Sequence, residues 1–258
     1  MQTLQLTISN RIASLTLNRP ESLNSFNGEM HADFKQALAD IKKSDARVLL
    51  ITGNGKGFCA GQDLSDRKVS ETTADLGDSL EERYNPLIRA LTTLELPIVC
   101  AVNGVAAGAG VSLALCADII IMHKRASLVL AFSKIGLVPD SGCSWLLTHA
   151  IGWRRARALS LMGGRISSAQ AYDWGLAWAI YEDEEFEDET RQLCETLAKA
   201  PTKGLAYTKR LFSRAAIAEL HTQLDDERDY QRLAGRTEDY REGVSAFFDK
   251  REPQFNGK

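Results

Sequence analysis

The stretch Ala101-Val102-Asn103-Gly104-Val105-Ala106-Ala107-Gly108-Ala109-Gly110-Val111-Ser112-Leu113-Ala114-Leu115-Cys116-Ala117 decides how the rest of this 258-residue chain is read. It follows the apolar run Ile98-Val99-Cys100, sets three glycines among small residues, and becomes a run of helix formers from Val111 onward. That pattern predicts a strand, a tight loop and a helix start. Side chains this small let a ligand touch main chain directly, and the first N–H groups of a helix have no acceptor within it. Such a junction offers donors to negative charge, so an oxyanion or a phosphate fits it. The same residues also read as a close-packed glycine turn with no ligand. Gly108-Ala109-Gly110-Val111-Ser112-Leu113 matches neither the dinucleotide fingerprint nor the phosphate loop with its Lys-Ser/Thr ending, which argues against a nicotinamide or nucleoside triphosphate site.

Composition narrows the rest. With 44% hydrophobic and 25% charged residues, the chain is an ordinary globular protein with one main core. A net charge of -3 gives no basic field for nucleic acid. No apolar run reaches the ~18 residues that span a bilayer, and Met1 to Ser9 lacks the regions of a signal peptide, so no membrane partner and a cytoplasmic location are expected. Cys59, Cys100, Cys116, Cys143 and Cys194 are scattered without metal-ligand spacing, mostly in apolar runs, as buried thiols are. His31, His123, His149 and His221 are equally dispersed, and neither a metal site nor a Ser-His-Asp triad is indicated.

Ahead of the opening stretch, Leu4, Leu6 and Ile8 alternate with polar residues, as do Ala13, Leu15 and Leu17 beyond Asn10-Arg11, which predicts a β-hairpin. Met30, Phe34, Leu38 and Ile41 recur at helical spacing. Arg47 to Thr52 reads as a buried strand, and Gly57-Phe58-Cys59-Ala60-Gly61-Gln62-Asp63-Leu64 as a second small-residue turn that could face the first. Arg67 to Gly77 is polar with weak periodicity and reads as a mobile loop able to cover a site. Tyr84, Leu87, Ile88, Leu91 and Leu94 are helical in spacing, and Pro97 introduces a strand.

Beyond the opening stretch, Asp118 to Met122 and Ser127 to Phe132 are β-like runs, and Gly136 to Gly142 is a loop. Strands spaced by helices give repeated ββα-like units and an α/β core. From Ser167 on no strand pattern is evident, and helices are expected at residues 187–200, 202–233 with a break, and 237–250. Asp225-Asp226-Glu227-Arg228 reads as the solvated side of one of them.

Taken together, Asn18-Arg19-Pro20, Gly57 to Leu64, Ala101-Val102-Asn103-Gly104, Gly108-Ala109-Gly110 and Ala117-Asp118 resemble, in order and spacing, the crotonase family of enoyl-CoA hydratases and isomerases. The resemblance runs nearly the whole chain. It implies a spiral of ββα units over residues 1–195, for acyl-CoA binding and catalysis, and a helical region over 196–258 that forms trimers, or hexamers by pairing, and covers the CoA site. It also implies an oxyanion hole from the backbone N–H groups of Gln62 and Ala109, with substrate or CoA contacts at Asn24, Ala60, Gly61, Gln62, Asp63, Leu64, Gly108, Phe132 and Lys250. Phe247 and Arg251 stand beside Lys250, where an apolar contact and phosphate-binding cations are useful; a basic, solvated helix end explains them equally. No metal and no cofactor is expected, coenzyme A being part of the substrate.

Hydratases of the family carry two glutamates where this chain has Ser112 and Phe132. Concerted addition of water needs an acid and a base, so their loss argues against hydration. Asp140, after Leu137-Val138-Pro139, stands where family isomerases carry an aspartate. Apolar neighbours such as Phe132 would raise its pKa toward working pH. Read from the residues alone, Asp140 is a turn or helix cap before Ser141-Gly142; the resemblance makes it the catalytic base. Asp63 reads as a cap for a helix at Leu64, and Asp118 as a strand-entrance residue.

Ala131-Phe132-Ser133-Lys134, Gly136 to Asp140 and Gln223 to Gly243 narrow the resemblance to family isomerases of bacterial aerobic phenylacetate degradation. It implies conversion of a ring-1,2-epoxide thioester to its oxepin form, a β,γ to α,β double-bond shift, and a partner hydratase of the same pathway. An enoyl-CoA hydratase, a thioester hydrolase and a non-catalytic acyl-CoA-binding homologue are the competing readings.

Overall fold

In the computed structural model, which describes residues 1–66 and 75–258, the alternating N-terminal residues form the hairpin β1 (Leu4–Ser9) and β2 (Ile12–Leu17). Asn10 and Arg11 both adopt left-handed backbone, φ 51° and 64°, matching the right-handed twist of the strands they join. In α1 (Gly28–Lys43) Asn27 caps the Met30 N–H at 2.9 Å, and Met30, Phe34, Leu38 and Ile41 are buried along one face. β3 (Val48–Gly53) leads to β4 (Gly57–Cys59), so the first three residues of the expected turn at Gly57 are a strand.

Of the loop expected at Arg67 to Gly77, residues 67–74 lie outside the described residues. Its end is helical instead: Asp75 accepts from the Gly77 N–H at 2.7 Å and opens α2 (Leu76–Ser79). A π-helical turn, Leu80–Tyr84, joins α2 to α3 (Asn85–Thr92). Pro86 brings no N–H, so the ordinary helical bond cannot close at that place.

β5 (Ile98–Val102), β6 (Val105–Ala107) and α4 (Ala109–Leu115) make up the opening stretch, whose loop therefore contains a second strand. β7 (Ile119–His123) and β8 (Ser127–Val129) follow. The β-like run to Phe132 stops early, because Ala131–Ile135 turns into a 3-10 helix. Asp118 takes the role expected of it, accepting from the Ile98 N–H at 2.8 Å and pairing with Lys209 at 2.9 Å.

After α5 (Cys143–Ile151) and α6 (Trp153–Met162) come β9 (Arg165–Ser167), α7 (Ser168–Asp173) and β10 (Ala179–Tyr181). β10 corrects the expectation that no strand follows Ser167: three residues carry no periodicity of their own, and pairing with β7 makes them a strand. The remainder is helical, α8 (Asp183–Lys199), α9 (Thr202–Ala215), α10 (Leu220–Ala234) and α11 (Glu238–Asp249), close to the expected spans. α8 runs through residue 195 and ends at Ala200-Pro201.

Two sheets result. The larger has the order β1-β2-β3-β5-β7-β10 and is parallel except for the hairpin; the smaller has the order β4-β6-β8-β9. Each pair β3/β4, β5/β6 and β7/β8 sends its first strand to the larger sheet and its second to the smaller, which is the expected spiral of ββα units. The main core lies under the larger sheet, against α1, α3, α4 and α5. On the opposite face Phe186, Cys194 and Ala198 of α8 cover Val48, Val99, Ala101 and Ile121. Burial on both faces explains the apolar runs Val48 to Ile51, Ile98 to Val102 and Ile119 to Met122 in β3, β5 and β7. Among the described residues no helix is long and apolar enough to cross a membrane.

Candidate active site

β4 and β6 are parallel neighbours, and each runs into a small-residue turn at its C-terminal end. The two turns meet main chain to main chain. Gly61 has φ 88°, and a methyl group there would stand 2.7 Å from the Ala107 carbonyl oxygen and 3.3 Å from the Ala109 nitrogen. A methyl at Gly110 would stand 2.2 Å from the Cys59 carbonyl oxygen, closer than any real carbon contact. Glycine is thus a packing requirement at both positions, and the turns do face one another.

Ala109 is the first residue of α4, so its N–H has no acceptor in the helix, and none is present among the described residues. Gln62 is strapped to Phe26: the Phe26 N–H donates to the Gly61 carbonyl at 2.7 Å, and the Asp63 N–H to the Phe26 carbonyl at 2.9 Å. The Gln62 side chain holds its own backbone, Nε2 donating to the Phe26 and Asp63 carbonyls at 3.1 and 3.2 Å. Its Oε1 accepts from the Tyr84 hydroxyl at 2.7 Å. Tyr84 is buried at the end of the π-helical turn, with its ring edge on Phe26.

Asp140 lies half-buried in the loop before α5. Its Oδ1 accepts from the Ser141 hydroxyl at 3.0 Å, and its main-chain carbonyl accepts from the Cys143 N–H at 2.9 Å and the Ser112 hydroxyl at 3.1 Å. α5 takes Gly142 as its N-cap, and Asp140 contributes its carbonyl to that turn. Ser112 joins the Asp140 loop to α4, the helix that begins with Ala109. Phe132, also buried, brings its ring 3.9 Å from where a methyl on Gly108 would lie. Ser112 and Phe132 thus bring a buried hydroxyl and a buried ring, and neither supplies charge.

Ala60 and Leu64 are exposed on the rim of the same turn. Asp63 caps the short 3-10 turn Leu64–Asp66, accepting from the Ser65 N–H at 3.1 Å, and pairs with Arg19 at 2.9 Å. The Ser65 hydroxyl first, then Arg19, holds this carboxyl below the usual range. Asn24 is fully buried, its amide donating to the Asn54 and Gly57 carbonyls and accepting from the Arg19 N–H. Its side chain stitches loops together, with both amide N–H groups used on main-chain carbonyls. Lys250 is exposed at the left-handed end of α11, on the C-terminal helices. Arg251 beside it is already clamped by Glu242 at 2.6 and 3.0 Å, which weakens its reading as a phosphate ligand.

Burial pushes the Cys59 thiol up to about 12 and the Cys143 thiol up to about 11, so neither cysteine near the turns is a nucleophile at neutral pH. No group of three metal-ligating side chains gathers among the described residues. A cavity of about 740 Å³, lined by Ser14, Thr52, Asn103, His123 and Arg191, lies along α8 and contains none of these site residues. Tyr84, Ser112 and Ser141 as supports of the site were not foreseen, since a helix-face tyrosine and two serines carry no signal in sequence.

The family described as Enoyl-CoA hydratase/isomerase matches residues 7–258. The chain is 54% identical over 250 residues to the 1,2-epoxyphenylacetyl-CoA isomerase of Escherichia coli K12, covering 96% of this chain and 95% of that one. It is 33% identical to the trans-2-decenoyl-[acyl-carrier-protein] isomerase of Streptococcus mutans, covering 97% of each. Among solved structures, the enoyl-CoA hydratase of Bacillus anthracis superposes with a TM-score of 0.94 at 28% identity, covering 100% of both chains. The enoyl-CoA hydratase/isomerase of Cupriavidus metallidurans CH34 does so with 0.92 at 30% identity, covering 100% of this chain and 97% of that one. With these likenesses running along nearly its whole length, the chain belongs to the enoyl-CoA hydratase/isomerase family.

Proposed function

We propose that this protein is an acyl-CoA isomerase. It converts ring-1,2-epoxyphenylacetyl-CoA to 2-oxepin-2(3H)-ylideneacetyl-CoA and shifts β,γ-enoyl-CoA double bonds to the α,β position. The observation that carries the reading is one carboxylate, Asp140, tied to the helix of the Ala109 donor, with Ser112 and Phe132 at the two hydratase glutamate positions. The 54% identical relative, an isomerase by name, supports the ring-epoxide substrate.

The thioester carbonyl sits between the Gln62 and Ala109 N–H groups. Asp140 takes the proton from the α carbon, and the electron pair moves onto the carbonyl oxygen as an enolate. When the pair returns, the proton is delivered at the γ carbon of a linear substrate, or, for the ring epoxide, at the ring carbon γ to the thioester as the C–C bond shared by the epoxide and the six-membered ring breaks, both C–O bonds being kept, to give the seven-membered oxepin. Nothing is oxidised or reduced overall. Oxyanion donors of this kind contribute about 2.7 to 4 kcal/mol each. One carboxylate can remove a proton and return it, whereas hydration also needs an activated water.

The test compares the ring-epoxide thioester, a linear β,γ-enoyl-CoA and crotonyl-CoA in parallel. Turnover of the first two with little hydration of the third is the expected outcome. Hydration as fast as isomerisation would reinstate the hydratase reading.

The working unit is a trimer or a multiple of it. Phe212, Leu220, Phe247 and Phe248 of the C-terminal helices are 68 to 79% exposed in the single chain, as faces awaiting a second copy are. Light scattering should give a mass of at least three chains. Five buried free cysteines suit the reducing cytoplasm.

A further inference from the structure

Ser112 is fully buried one turn after Ala109 on α4, a helix buried along its whole length and pinned at Gly110 against the Cys59 carbonyl. A buried hydroxyl needs a partner, and Ser112 has taken one from outside its own helix, the main-chain carbonyl of Asp140 at 3.1 Å. The loop it reaches is not regular: Gly136, Ser141 and Gly142 all adopt left-handed backbone, with φ of 73°, 51° and 78°. At Ser141 a side-chain-bearing residue is held there, and its hydroxyl lands on Asp140 Oδ1 at 3.0 Å. Such a loop keeps its shape only if its surroundings fix it.

We propose that Ser112 is a positioning residue for Asp140: its hydroxyl ties the main chain of the base to the helix that opens with the Ala109 donor, and so sets the separation between the two. The inference rests on the isomerase reading above. Where a hydratase holds an acid, this chain holds a tether, and the one remaining carboxylate is placed from the oxyanion side of the site. Proton transfer is steep in geometry, a misplacement of about 1 Å costing on the order of 100-fold.

The test is solvent deuterium exchange at the α carbon of bound phenylacetyl-CoA, which has acidic α protons and no double bond to move. Wild type, Ser112→Ala, Asp140→Asn and the double variant are compared, with binding of phenylacetyl-CoA measured alongside. Ser112→Ala should slow exchange roughly 10- to 100-fold with affinity within about twofold of wild type. In the Asp140→Asn background it should slow the residual rate no further, because it acts through the carboxylate. Ser112→Thr, which keeps the hydroxyl, should restore exchange, and Ser112→Cys, a weak donor of similar size, should not; the pair decides the matter if the alanine variant folds poorly. Unslowed exchange in Ser112→Ala, or the same fold-loss in both backgrounds, overturns the tether and leaves Asp140 as the base. Undiminished exchange in Asp140→Asn alone overturns the base assignment and the tether with it.

Discussion

Gly110→Ala should cost far more in activity than in stability. The added methyl would meet the Cys59 carbonyl oxygen at 2.2 Å and the Cys59 Cβ at 2.9 Å. Ordinary carbon contacts begin near 3.4 Å, so α4 and the end of β4 must part by roughly 1 Å. Overpacking of this kind costs about 1–3 kcal/mol. In a chain of this size that is a fall in Tm of about 2–12 °C, from which the fold survives. Catalysis has no such reserve. Ala109 and Gln62 lie on opposite sides of that contact, so parting it pulls one donor from the proposed oxyanion position, and losing one donor costs about 10²- to 10³-fold in kcat. Isomerase kinetics and thermal unfolding on the same preparation are the assay. A loss of kcat under tenfold with the expected fall in Tm would refute the claim that these two turns build the oxyanion hole.

Three further outcomes are expected. Tyr84→Phe keeps the ring on Phe26 but loses the 2.7 Å bond to Gln62 Oε1; a loss near 1 kcal/mol should appear as a roughly fivefold fall in kcat with KM unchanged, and a change in KM alone would contradict it. The Arg251 guanidinium, with the Gln254 N–H, lowers the Glu242 carboxyl from its ordinary 4.5 to about 2. The folded value lies below the unfolded one, so this tie is complete above about pH 4.5 and is lost as pH falls toward about 2; hydrogen exchange of residues 242–254 should rise over that window, and Glu242→Gln should flatten the dependence. Burial raises the thiols of all five cysteines, so a disulfide reagent at pH 8 should label none in the folded protein and five after denaturation.

Much of this architecture was legible because burial writes a period into the sequence. The alternation of Ala13, Leu15 and Leu17, the spacing of Met30, Phe34 and Ile41, and the unbroken apolar runs of β5 and β7 each match one buried face or two. Most strands of three residues escaped, β8 excepted. β6, β9 and β10 are too short to repeat an alternation, and exist because a neighbouring strand supplies their hydrogen bonds. The two turns were legible as small-residue clusters, and Asp140 only through its place in a family motif. Asp63 and Asp118 were legible as local supports, but not the two bonds that brace the site: nothing local shows that Tyr84 reaches Gln62 across 22 residues, or Ser112 reaches Asp140 across 28. Asn24 shows the converse, an expected ligand contact whose buried amide serves the loops around it.

The central claim is that one carboxylate, set against two backbone donors, moves the proton. Its most direct measurement is the β,γ to α,β isomerisation rate of Asp140→Asn, with acyl-CoA affinity measured on the same variant. The amide keeps the shape and can still accept from the Ser141 hydroxyl, but it cannot take the α proton. A fall in kcat of about 10²- to 10⁴-fold with affinity preserved is the predicted result. Turnover within a few-fold of wild type would contradict the account and return Asp140 to the loop as a structural residue.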